Sequence, residues 1–121
     1  MTRWVLCALF TLMVGSAMAQ VPQAINYQAV ARNNAGALLP NQSISIKINI
    51  LSGSATGPVL YSERHVIQTN QFGLFSLPVG RGIPVSGQFP TISWRTSDQW
   101  LQVELDPTGG TNYFLMGTSE L

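Results

Sequence analysis

The chain has 121 residues, of which 45% are hydrophobic and only 9% charged, and its formal net charge is +1. With six basic and five acidic residues scattered singly, it lacks the basic patch that holds nucleic-acid phosphates. The apolar content is high enough for one hydrophobic core, which argues against a disordered chain.

The first residues have the three parts of a secretory signal. Arg3 supplies a leading charge, residues 4–14 form an apolar run, and Ala17 and Ala19 occupy the small-residue positions before a cut at Gln20. A membrane anchor needs about 18 to 20 apolar residues, and this run is shorter. Residues 1–19 are therefore expected to be removed, leaving 102 of the 121 residues as one domain, 20–121, with no membrane span. Cys7, the one cysteine, leaves with the signal. A lipid-anchored chain would need a cysteine at the cut, where Gln20 stands. The mature chain has no thiol for a disulfide, a nucleophile or a metal. The expected destination is the extracellular space or cell surface, with the periplasm as the other exported compartment.

Period two dominates the remainder. Residues 25–31 read as a strand. Residues 43–50 alternate polar residues with Ile44, Ile46, Ile48 and Ile50, which places all four isoleucines on one face of a strand. Further strands are expected at 59–67, at 74–79 with Phe75, Leu77 and Val79 inward, and at 100–105 with Leu101, Val103 and Leu105 inward. Another is expected at 113–116, and 91–94 reads as a short extra one. Turn-forming residues lie between these runs at 33–36, 52–58, 70–73, 80–84 and 106–110. No sustained 3.6-residue apolar period occurs after the signal. About seven strands, each with one apolar face, indicate an all-β antiparallel sandwich, immunoglobulin-like or related. The chain stops at Leu121 without a closing Gly/Pro cluster or charged tail, which reads equally as a natural end and as a domain cut short.

Five stretches carry a family resemblance: 21–32 (VPQAINYQAVAR), 41–45 (NQSIS), 69–77 (TNQFGLFSL), 101–113 (LQVELDPTGGTNY) and 116–119 (MGTS). Together they span most of the mature chain in one order. They resemble the N-terminal domain of secreted or surface proteins of Bacteroidetes-type bacteria that precedes collagen-like or tail-fibre-like regions. The resemblance implies a β-sandwich head on a modular exported protein, without catalysis. Its partners would be other domains or subunits of a surface assembly.

The residues themselves offer little chemistry. His65 is the single histidine, and no Gly-x-Ser-x-Gly elbow accompanies it. It shares a strand face with Tyr61, Glu63 and Ile67 and reads as a partly exposed strand histidine. Glu104 and Asp106 share a face two residues apart and read as a solvated face followed by an Asp-Pro turn, rather than as a glycosidase pair or a calcium loop. Gly80-Arg81-Gly82 permits a turn and lacks the rest of a phosphate loop. No catalytic residue, cofactor or metal site is expected.

Trp94, Trp100, Tyr61 and Tyr113 could stack on sugar rings, and Trp100 falls on the polar side of its strand beside Gln102 and Glu104. A large apolar group left in water marks a contact site. The expected contact surface is therefore Trp100, Gln102, Glu104 and Tyr61. Its expected occupant is another protein in the first reading and a glycan in the second.

Overall fold

The computed structural model describes residues 24–94 and 98–121. The expected signal peptide lies outside the described residues. Seven strands occur among them: β1 (Ile25–Val30), β2 (Ser43–Ser52), β3 (Val59–Gln68), β4 (Leu74–Val79), β5 (Ile83–Ser86), β6 (Gln99–Asp106) and β7 (Phe114–Glu120). They form a β-sandwich of two antiparallel sheets. One is the pair β1–β4, and the other has the order β5-β3-β2-β6-β7.

Two local expectations need correction. Residues 91–94 are not a strand: a short 3₁₀ turn covers Phe89–Thr91, with Pro90 in its first positions. Residues 83–84, read as a break, instead begin β5. Proline donates no backbone hydrogen bond, so Pro84 fits only an edge strand, and β5 is that edge.

β2 is the centre of the fold because its alternation is uninterrupted. Ile44, Ile46, Ile48 and Ile50 are all fully buried. Register sets Ile46, Ile48 and Ile50 opposite Leu105, Val103 and Leu101 of β6. The small sheet covers this layer with Phe75, Leu77 and Val79, all buried, and with the half-buried Ile25 and Tyr27. Burying each such side chain contributes about 1.5–3 kcal/mol, so the isoleucine face dominates the stability of the sandwich.

The β3–β4 turn shows how sequence fixes a corner. Asn70 Oδ1 accepts the N–H groups of Phe72 at 2.8 Å and Leu74 at 3.0 Å. Gly73 completes the turn at φ +76°, a conformation that costs glycine least. A Cβ there would also press on the Ala31 carbonyl oxygen at 3.1 Å. The β6–β7 loop is closed in a similar way by Asp106. Its Oδ1 accepts from Thr108 N at 2.9 Å and Thr108 Oγ1 at 2.7 Å, and its Oδ2 accepts from Asn112 N at 2.9 Å. These bonds, led by the Thr108 hydroxyl, hold the Asp106 carboxyl below the usual carboxylate range.

Candidate contact surface on the outer sheet face

Cross-strand register arranges the outer face of the five-stranded sheet in tiers. The first runs Ile83, Arg64, Lys47, Glu104, Leu115 from β5 to β7. The second runs Ser86, Ser62, Asn49, Gln102, Thr118. The third holds Val59, Leu51, Trp100 and Glu120. With neighbouring strands about 4.8 Å apart, a five-residue tier spans roughly 19 Å.

Trp100, Gln102 and Glu104 are together on this face, as alternation along β6 requires. Each is half-buried. Tyr61 is not with them, which corrects the expected surface. It pairs with Ile50 and therefore points with the isoleucines into the core, where it is 2% exposed. Its ring meets Phe89 edge-on at 5.5 Å. Trp94 meets the same Phe89 at 5.7 Å. Tyr113 is engaged by Lys47 Nζ, 5.9 Å from its ring centroid, and by Ser45 Oγ, 3.0 Å from its hydroxyl. Of the four candidate rings, only Trp100 has no ring or cation contact among the described residues.

The second tier is organised by Asn49, buried at the centre of β2. Its Nδ2 donates to Gln102 Oε1 at 2.9 Å and to Glu104 Oε2 at 2.8 Å. Its Oδ1 accepts from Ser62 Oγ at 2.6 Å. One amide thereby fixes three neighbours. Lys47 Nζ adds a 3.9 Å ion pair to Glu104 Oε2, a contact of little net value at a half-exposed site. Among the described residues, the Gln102 amide nitrogen and the second Glu104 oxygen remain oriented and unspent. Asn49 and Ser62 were legible only as polar positions of alternating strands. That they face Gln102 follows from register, which the alternation does not reveal.

Two donors on this face are buried and unpaired among the described residues: Arg64 Nε and the Trp100 indole nitrogen. Ile83 and Leu115, the ends of the first tier, are 60% and 59% exposed.

The opposite face of β3 holds a second polar cluster. Glu63 is fully buried and stands opposite Ile48. Its Oε1 accepts from the Tyr61 hydroxyl at 2.7 Å and from Gly80 N at 2.8 Å, and its Oε2 accepts from Gly82 N at 3.1 Å. His65 Nε2 also contacts Oε2. His65 is 9% exposed, so it is a buried histidine and not the partly exposed one expected. Burial pushes the Glu63 carboxyl up, but the hydrogen bonds from His65, Tyr61 and Gly80 outweigh it, and the carboxyl lies below its ordinary value. Burial, followed by the hydrogen bond to Glu63, pushes the Tyr61 hydroxyl well up. Gly82 seals the cluster. A Cβ there would stand 2.5 Å from His65 Nε2 and 2.8 Å from Glu63 Oε2.

This inner cluster has the residue types of an acid–base site but no room for a substrate. The Asp106 carboxylate is likewise committed to its own loop. Among the described residues no cluster of histidine, cysteine or carboxylate side chains could hold a metal ion, and no helix is long and apolar enough to cross a membrane.

No curated protein and no solved structure matches the chain. A family model does match residues 26–118, so all of β2 to β6 and most of β1 and β7 lie within it, and the chain belongs to that family, described as Domain of unknown function (DUF8740).

Proposed function

We propose that this domain is a non-catalytic interaction module of an exported protein, and that its working surface is the outer face of the five-stranded sheet. The observation that carries the reading is the Asn49-centred tier. It holds Gln102 and Glu104 in fixed orientation, each with a hydrogen-bonding group unspent among the described residues, and the adjoining first tier, to which Glu104 belongs, ends in the exposed apolar Ile83 and Leu115. Exposed apolar side chains beside polar groups mark contact sites on protein surfaces. The resemblance of stretches 21–32 and 101–113 to head domains of surface proteins supports the same role, with other domains or subunits of a surface assembly as partners.

Carbohydrate binding is the second reading, favoured by Trp100 standing beside Gln102. Its support is thinner, because Tyr61, Trp94 and Tyr113 are engaged elsewhere. A glycan array that stays blank for the wild-type chain would remove it.

The test uses the full chain in the cell that makes it. A photocrosslinking residue is placed at Thr118 on the outer face or at Gln28 on the small sheet. The reading expects a discrete protein adduct from Thr118 and none from Gln28. Adducts from Gln28 alone, or from neither, would contradict it. Mass spectrometry of the exported protein is expected to show Gln20 as its first residue.

A further inference from the structure

Arg64 is a cation that the fold leaves without a carboxylate neighbour among the described residues. Arg64 pairs with Lys47 on β2 and with Ile83 on β5. Its diagonal neighbours on β2 are Ser45 and Asn49, and its same-face neighbours on β3 are Ser62 and Val66. None of these positions carries a carboxylate. Like charges directly opposite on adjacent strands are destabilising, and here Arg64 faces Lys47. The nearest outer-face carboxylate, Glu104, lies beyond Lys47 and is held by Asn49 and Lys47. Glu63, next in sequence, points into the core. Arg64 Nε is also buried with no hydrogen-bond partner among the described residues. The fold therefore keeps a cation here with no carboxylate beside it.

We propose that the outer sheet face docks an extended acidic peptide segment, whose carboxylate pairs with Arg64. This rests on the interaction-module reading and names the partner's chemistry. A guanidinium donates two parallel hydrogen bonds to a carboxylate from its terminal Nη groups, a fork that a lysine cannot offer. The carboxylate also relieves the Arg64–Lys47 opposition. Glu104 disfavours an anion toward β6, so the acidic position lies over β3 and β2. Apolar side chains of the segment cover Ile83 at one end of the tier and Leu115 at the other. Spanning roughly 19 Å takes about six extended residues at 3.3 Å each. Charge order and spacing together give the motif: an apolar residue, one or two carboxylates, two or three neutral polar residues, and a second apolar residue.

The probe is the hexapeptide acetyl-Leu-Glu-Glu-Ser-Thr-Leu-amide, with its Gln-Gln analogue as control. Each is titrated into the nitrogen-15-labelled chain, and the Arg64 Nε–H cross-peak is followed. The expected result is a saturable shift of that peak, with binding at least tenfold weaker for the Gln-Gln peptide and for Arg64→Gln. Arg64→Lys keeps the charge but lacks the fork, and is expected to fall between Arg64→Gln and wild type. Melting curves of both variants check that they fold. No shift of the Arg64 peak at millimolar peptide, or equal binding of the two peptides, overturns the proposal. Crosslinks from Thr118 alongside such a failure would leave the module standing and remove its acidic partner. Loss of both would remove the module as well.

Discussion

Two polar clusters sit on opposite faces of β3, one residue apart in sequence, and they are built differently. The inner one closes on itself. Four donors converge on the Glu63 carboxylate, which is itself fully buried, and Gly82 covers it. The outer one is anchored just as firmly at Asn49 but is left open, with oriented groups on Gln102 and Glu104 and an unpaired donor on Arg64. A closed cluster fixes structure, because every lone pair is spent on the fold. An open one can spend its remainder on a partner. From Tyr61 to Ile67 the same strand therefore locks the sandwich with its odd-numbered residues and offers a surface with its even-numbered ones.

This contrast breaks most visibly at the inner cluster. Glu63→Ala leaves the buried Tyr61 hydroxyl and the half-buried Gly80 and Gly82 amides without an acceptor. Breaking a buried pair costs about 3–5 kcal/mol, and a denaturant melt should show the midpoint falling accordingly. A cost under 1 kcal/mol would mean that the cluster is not a lock. Gly82→Ala comes next. Its methyl group collides with Glu63 and with the Arg64 carbonyl oxygen at 2.8 Å. Overpacking of this kind costs about 1–3 kcal/mol, again read by denaturant melting.

Asn49→Ala should cost less than Glu63→Ala, about 1–3 kcal/mol for the partners it strands. It should also release Gln102, seen as narrowed and averaged side-chain amide signals in the NMR spectrum. Leu115→Ser should change stability by about 0.5 kcal/mol or less, as surface substitutions do, while weakening hexapeptide binding.

Acid weakens the inner cluster and the β6–β7 loop together. Glu63 and Asp106 both have carboxyls held below their ordinary values. In the range between folded and unfolded values the unfolded chain binds more protons, so stability rises with pH there. The contribution is complete above the ordinary carboxylate range and is lost as pH falls through the lowered folded values. Melting followed downward from neutral pH should show this loss. Glu63→Gln should flatten part of it, whereas Lys47→Ala, on the outer face, should leave it intact.

Much of the sandwich was legible in the sequence because β2 and β6 alternate without a break. Ile44 to Ile50 and Leu101 to Leu105 named their own faces, and with them the outward place of Trp100, Gln102 and Glu104. What stayed hidden depended on long-range pairing. Tyr61, Glu63, His65 and Ile67 share a face by alternation, and the sequence reads its histidine as partly exposed. Only the register opposite Ile50, Ile48, Ile46 and Ile44 puts it inside. Asn49 similarly looked like one polar position among several until β3 and β6 were set beside it. β5 was hidden by Pro84, a residue that an edge strand tolerates and an interior one does not.

The account stands or falls on the outer face being the surface that meets a partner. The most direct measurement is the yield of the Thr118 photocrosslink in the producing cell when Gln102→Ala is introduced into a chain whose melting temperature is unchanged. The account predicts that the adduct drops at least tenfold. An adduct that forms as strongly as in the parent chain would contradict it.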